Sequence, residues 1–304
     1  MLESKLRAAA INKPTGNLLG VTYGGGQWVI VGSGGAIWTS TDAKTWKAQI
    51  SGTTNDILDV NYTGSLFFAC GTAGLILTST DGITWTDRSV AISEGFQRCS
   101  IANGVFFITG GSATVARLYT STNGTTWTAR TLPSGMQRTL LDVVYYDNGV
   151  NARYYVVGTQ ILTQPAYGYS TDLATWTSDQ SGISTGGSGL TLLTNGSIVI
   201  LGAENTSSFV AIASSTNGTT FTNRYTGSVA AETVRKGIWT GTTFIIVGLV
   251  GVLYTSTNGT TWSATTITAE NIRGIRQQGS EILIVGDNGL VGRSINDGSS
   301  WSFL

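Results

Sequence analysis

Ser79–Trp85 reads S-T-D-G-I-T-W, and close copies of this block return along the whole chain. The block is S-T-D-A-K-T-W at Ser40–Trp46, S-T-N-G-T-T-W at Ser121–Trp127 and S-T-D-L-A-T-W at Ser170–Trp176. It is S-T-N-G-T-T-F at Ser215–Phe221 and S-T-N-G-T-T-W again at Ser256–Trp262. A seventh copy, S-I-N-D-G-S-S-W at Ser294–Trp301, is one residue longer. The closing aromatics Trp46, Trp85, Trp127, Trp176, Phe221, Trp262 and Trp301 therefore step by 39, 42, 49, 45, 41 and 39 residues. A period near 40 is that of one four-stranded propeller blade.

The residues between the blocks repeat as well. Leu19–Tyr23, Gln27–Gly32 and Ala36–Ser40 are matched by Leu58–Tyr62, Leu66–Gly71 and Leu75–Ser79, and later by Phe244–Gly248 and Val252–Ser256. These are short β-branched and aromatic runs bounded by glycine, which read as strands. The second run of each unit is apolar on both faces, as a strand sandwiched between two neighbouring sheets must be. The expected fold is an all-β, seven-bladed propeller of four-stranded antiparallel blades. Strands A to C precede the block and strand D starts at its aromatic. Residues 1–17 form an N-terminal extension and 18–304 the propeller, with blades at about 18–52, 53–92, 93–133, 134–182, 183–227, 228–267 and 268–304. Each unit looks complete, so the ring is expected to close without an exchanged strand, and strand D of the seventh blade is short.

Inside the block, Asp42, Asp81, Asn123, Asp172, Asn217, Asn258 and Asn296 hold the position of a turn former. Asp and Asn bond the backbone amides just ahead and tolerate left-handed geometry, and the Gly that usually follows supplies positive φ. The Ser hydroxyl closes a further local bond, and the aromatic fills the wedge between blades.

The block resembles the Asp-box, or BNR repeat, of sialidases and related propellers, whose pattern is S-x-D-x-G-x-x-W. The seventh copy keeps that spacing with Asn296 for Asp; the first six lack one residue. The resemblance implies a structural turn on the face opposite the binding site, with a ligand or calcium role as the alternative.

The bulk numbers exclude several functions. Only 11% of residues are charged, against about 25% in average chains. The formal net charge is zero, with 17 basic and 17 acidic residues, which gives no support to nucleic-acid or anionic-membrane binding. No apolar run is long enough for a spanning helix. Met1–Asn12 has no apolar signal core; Leu2, Leu6, Ala9 and Ala10 instead lie at helical spacing, as in a short docking helix ended before Pro14. Two cysteines, Cys70 and Cys99, and no histidine cannot make a usual zinc site, so no metal or cofactor is expected. Both cysteines read as buried free thiols.

Propeller ligands usually sit where the D-to-A connections and B-to-C loops meet the central channel. Four such connections end in arginine: Glu94–Arg98, Ser134–Arg138, Glu232–Arg235 and Glu270–Arg273. Arg98, Arg138, Arg235 and Arg273 are each expected just before strand A, ringing the channel mouth, where guanidinium forks would grip a carboxylate or phosphate. The alternative is that each pairs with its own Glu and staples its blade. Arg88, Arg130 and Arg224, three residues after a box aromatic, are expected to decorate the outer rim. The longest insert, around Thr159–Gly168, is a candidate functional loop.

Three functions compete. A sialidase-like hydrolase would need paired carboxylates and an Arg-Ile-Pro motif near the start, and neither is evident. The photosystem II assembly factors are similar propellers with Asp-box-like turns and an arginine-rich face, which implies a protein partner; those proteins normally carry an export leader. Near-identical boxes, a Gly/Ser/Thr/Asn surface and low charge resemble bacteriophage tail and fibre proteins. That resemblance implies a non-enzymatic virion protein. Its partners would be other virion proteins or a host-surface glycan, its state a homo-oligomer within the particle, and its place the virion or the medium after lysis.

Overall fold

The computed structural model describes residues 13–161, 164–178, 188–204, 209–227 and 233–304. The expected helix at Met1–Ala10 lies outside the described residues.

The chain forms seven four-stranded antiparallel sheets, each built from four consecutive strands. Strands A are Leu18–Gly24, Ile57–Tyr62, Gly95–Ala102, Leu140–Asp147, Ser188–Thr194, Val234–Trp239 and Ile272–Gln278. Each packs against strand A of the next blade, and the first against the seventh, so they circle a central axis. Burial follows position in the blade. Strand B is enclosed on both faces: Phe67–Gly71 and Phe244–Gly248 are buried at every residue. Strand D is the outer edge, and Ser263–Thr266 is exposed at every residue. Short, polar outer strands blunt an edge that would otherwise pair with other chains.

The core is distributed over the seams between blades. Leu18, Val21, Trp28 and Trp46 of blade one, for example, pack with Leu283, Val285 and Val291 of blade seven. That seam closes the ring with no strand exchanged between blades one and seven. The Gly289 amide donates to the Gly16 carbonyl at 2.6 Å, and Lys13 Nζ donates to the Leu304 carbonyl.

The box turns are built by one acceptor atom. In the first, Asp42 Oδ1 accepts from the Lys44 and Thr45 amides at 2.9 and 2.8 Å and from Ser40 Oγ at 3.0 Å. The same pair of amides is taken by Oδ1 of Asp81, Asn123, Asp172, Asn217 and Asn258. In the longer seventh box, Asn296 Oδ1 accepts from the Ser300 amide at 3.0 Å. Only a side-chain carbonyl-type oxygen is needed, which is why Asp and Asn interchange. The following residue is left-handed whether glycine or not, at φ 58° for Ala43, 64° for Leu173 and 72° for Gly218. At Gly218 the turn also presses on the preceding blade: a Cβ there would lie 2.1 Å from Tyr155 Oη. The closing aromatics plug the seams. Trp46, Trp176, Phe221 and Trp262 are buried, and Trp85, Trp127 and Trp301 are half-buried.

The blade-four insert is ladder rather than loop. Strands Ala152–Ile161 and Gln164–Ser170 stay paired out to Ile161 opposite Gln164, so the added residues lengthen the B–C hairpin. Arg130 and Arg224 are tied to strand C, with Nε donating to Thr120 Oγ1 at 2.8 Å and Ser214 Oγ at 3.0 Å. Cys70 and Cys99 are buried free thiols. Burial, then the neighbouring Cys70 thiol, push the Cys99 thiol up.

Backbone amides hold the Asp42, Asp81 and Asp172 carboxyls below the usual range. A pKa depressed by folding contributes stability that is full above the unfolded value, near 4, and is lost as pH falls through the folded one. The denaturation midpoint should therefore drop between pH 5 and pH 2, and drop less in an Asp42→Asn, Asp81→Asn, Asp172→Asn variant, as urea titrations across that range would read. Gly218→Ala should lose about 2 kcal/mol or more through left-handed strain and the clash with Tyr155. Gly149→Ala, where a Cβ meets nothing within 4 Å, should lose only the strain part; urea midpoints for the two variants give the comparison.

Candidate functional site at the channel mouth

In six blades strand B carries a glycine at the same register, Gly32, Gly71, Gly110, Gly158, Gly248 and Gly286. The backbone there is extended, so the requirement is space. A Cβ on Gly71 would lie 2.0 Å from the Asp56 carbonyl, and one on Gly286 1.9 Å from that of Asn271. These carbonyls belong to the chain just entering strand A. Opposite each glycine, strand A carries one extra residue before pairing resumes: Leu18 faces Gly32, but Gly20 faces Val31. Blade five puts the glycine on the other strand, with Gly189 opposite Ala203, and bulges at the same place.

The bulged residues are Leu19, Leu58, Gln97, Leu141, Leu190, Arg235 and Arg273. All seven line one cavity of about 170 Å³ on the axis. A bulge re-aims its side chain out of the ladder, and seven in register build a rim. Its composition is asymmetric. Leucines from blades one, two, four and five, with Gln97 of blade three among them, form a largely apolar arc, and Arg235 and Arg273 of the adjacent blades six and seven form the cationic one.

One residue further along strand A lies the floor. Gly20, Asp59, Arg98, Asp142, Thr191, Lys236 and Gly274 occupy this level. Lys236 Nζ of blade six reaches Asp59 Oδ1 of blade two at 2.6 Å. Blades seven and one lie between them and carry Gly274 and Gly20 here; a Cβ on Gly20 would sit 2.9 Å from Asp59 Cα. Asp59 Oδ2 also accepts the Cys99 amide at 3.1 Å. Arg98 crosses the mouth and donates from Nε to the Leu141 carbonyl at 3.2 Å and from Nη2 to the Arg235 carbonyl at 2.6 Å.

The four expected arginines are thus not equivalent, and three lie within strand A rather than before it. Arg235 and Arg273 are the bulged residues, because they are second in their strands. Arg98 is fourth in a strand that starts earlier, at Gly95, and sits one level down. Arg138 precedes strand A and is outside the lining of the cavity. The pairing expected with each connection's own Glu also differs: Arg273 forks onto Asp287, with Nε–Oδ1 at 2.9 Å and Nη2–Oδ2 at 2.8 Å, while Glu94 pairs with Arg117 at 2.9 Å. Sequence reasoning missed Asp59, Lys236 and the leucine arc. The small residues Gly20 and Gly274 in otherwise apolar inner strands were the available signal for the cross-channel bridge.

Among the described residues Arg235 has no such partner; Glu232, the acid of its own connection, lies outside them. Its Nε is buried and makes no hydrogen bond. Burial first, then Arg273 and Arg98, push its pKa down, outweighing Glu204 and Asp287. Four cationic side chains and one carboxylate line the cavity, and that carboxylate is held by Lys236. The mouth is therefore electropositive.

A family model, the DUF6242 beta propeller domain, matches residues 170–303. No curated protein matches the chain. Among solved structures, YCF48 from Cyanidioschyzon merolae is 13% identical with a TM-score of 0.69, over 95% of this chain and 98% of that one. YCF48 bound to D1 peptide is 14% identical at 0.67, over 95% of both chains. Streptogramin B lyase is 11% identical at 0.74, over 96% and 95%. The shared property is the fold. This chain is a seven-bladed β-propeller, and none of these similarities supports the virion origin expected from composition.

Removing one member of a buried ion pair strands the other, at about 3 kcal/mol or more. Asp59→Ala, which leaves Lys236 unpaired and the Cys99 amide without an acceptor, should therefore destabilise by about that amount. Lys236→Met strands the more deeply buried Asp59 carboxylate in turn, leaving it only the Cys99 amide, and should lose a comparable amount. Urea unfolding of the two variants measures both losses.

Proposed function

We propose that this propeller is a non-enzymatic binding module that holds a carboxylate-bearing segment of a protein partner in its channel mouth. The observation that carries this reading is the half-buried Arg235, whose Nε is buried with no hydrogen-bond partner among the described residues and whose neighbouring charges include two further arginines. A carboxylate bound there would supply the missing acceptor and relieve the repulsion, and charge-assisted bonds of this kind are strong. Leu19, Leu58, Leu141 and Leu190 around the rest of the rim would take an adjoining apolar side chain. A cavity of about 170 Å³ suits one or two peptide side chains better than a run of sugar rings. Peptide binding by a propeller of this fold has a precedent in YCF48 bound to D1 peptide. The carboxylates facing the channel are engaged in bonds that fix the blades, which speaks against glycosidase chemistry.

The test is an array of synthetic peptides carrying Asp or Glu beside Leu, paired with Asn and Gln counterparts. Acidic members should bind in a salt-sensitive way, and Arg235→Gln should weaken them at least tenfold while Arg138→Ala leaves them unchanged. Equal binding of the neutral peptides, or full retention in Arg235→Gln, would overturn the reading. Binding to a bacterial polysaccharide array that Arg235→Gln abolishes, with no peptide bound, would replace it with glycan attachment.

A further inference from the structure

Below the floor the channel opens again. A second cavity of about 200 Å³ is lined by Arg98 and Lys236, which also line the first, so these two side chains separate the cavities. Its remaining wall is mixed, with Asn61, Ser100 and Asp142 beside the aliphatic Val144, Leu192, Ile238 and Ile275. In an antiparallel blade the A–B and C–D turns share one face, so this lower cavity lies toward the box turns and away from the mouth. Arg276 reaches into it from blade seven, two residues before strand A ends at Gln278.

The charges around Arg276 do not neutralise it. Asp142 is the carboxylate lining the same cavity, and its oxygens are taken. Oδ1 accepts from Ser100 Oγ at 3.2 Å and the Val143 amide at 2.9 Å. Oδ2 accepts from Thr191 Oγ1 and the Leu192 amide, both at 3.0 Å. Asp59 is committed to Lys236 and the Cys99 amide. What Arg276 has is a long bond of 3.4 Å from Nη1 to Asn61 Oδ1, an atom that already accepts the Tyr62 amide at 2.9 Å. Burial lowers the Arg276 pKa, with Asp59 acting the other way. Among the described residues, then, this guanidinium with five donors has one weak bond and no carboxylate paired with it.

We infer that the lower channel is a second binding site, independent of the mouth, that takes a small monocarboxylate with an apolar body. Its carboxylate is held by the Arg276 fork and its chain lies against Ile238, Ile275 and Val144. The aliphatic part of the wall favours such a ligand over strongly hydrated anions such as inorganic phosphate, which would have to shed water against carbon there.

Pentanoate titrated into the full chain by calorimetry at fixed ionic strength tests this, with inorganic phosphate and chloride as parallel arms. Pentanoate should bind saturably and phosphate at least tenfold more weakly. Arg276→Gln should weaken pentanoate at least tenfold, and Arg235→Gln should leave it within about twofold. Methyl NMR of the unsubstituted protein should show pentanoate shifting Ile238 and Ile275, which decides the matter if Arg276→Gln fails to fold. Absence of saturable binding, binding retained by Arg276→Gln, stronger phosphate binding, or loss on Arg235→Gln instead would each overturn the inference. None of these results bears on peptide binding at the mouth.

Discussion

The bulge in every inner strand is the constraint on which the rest of the molecule depends. It arises from a collision avoided: the strand B residue beside the bulge must come so close to the chain entering strand A that, in six blades, only glycine fits. The extra residue opposite is pushed out of the ladder and toward the axis. Repeated seven times, this geometry converts an unremarkable ladder irregularity into a rim of seven side chains at one height. The blades supply the scaffold, but the bulge decides which residue of each blade a ligand would meet.

That dependence explains what could be read in advance. The box turns were legible because their bonds are local: an Asp or Asn oxygen reaches amides two and three residues ahead, so spacing alone carries the geometry. Blade count and strand order followed from the same period. The rim was only partly legible. An arginine near the end of a D-to-A connection marks the right region, but strand A starts two residues earlier in blade three relative to its arginine. That moves Arg98 to the floor while Arg235 and Arg273 stay on the rim. Lys236 and Asp59 lie 177 residues apart in the chain, and no local pattern joins them. The composition carries little information about origin for a related reason. Seven turns of Ser, Thr, Asn, Asp and Gly, with blades that bury both faces of their inner strands, require a glycine-rich, weakly charged chain whatever its source.

The channel is divided rather than continuous. Arg98, spanning three blades through two backbone carbonyls, and the Lys236–Asp59 bridge form a polar floor on which both cavities end. Each half keeps one guanidinium that no carboxylate among the described residues pairs with, Arg235 above and Arg276 below. Buried charge without a partner is costly, and a fold that can satisfy Arg273 with a fork onto Asp287 has the means to satisfy others. Leaving Arg235 open is therefore the feature on which the functional account rests.

The most direct measurement of that feature is anomalous diffraction from a crystal soaked in bromide. The account predicts a bromide peak in the mouth within hydrogen-bond reach of Arg235 Nε, and none at Arg273, whose fork is filled by Asp287. An empty mouth, with bromide only at exposed arginines on the outer rim, would contradict it.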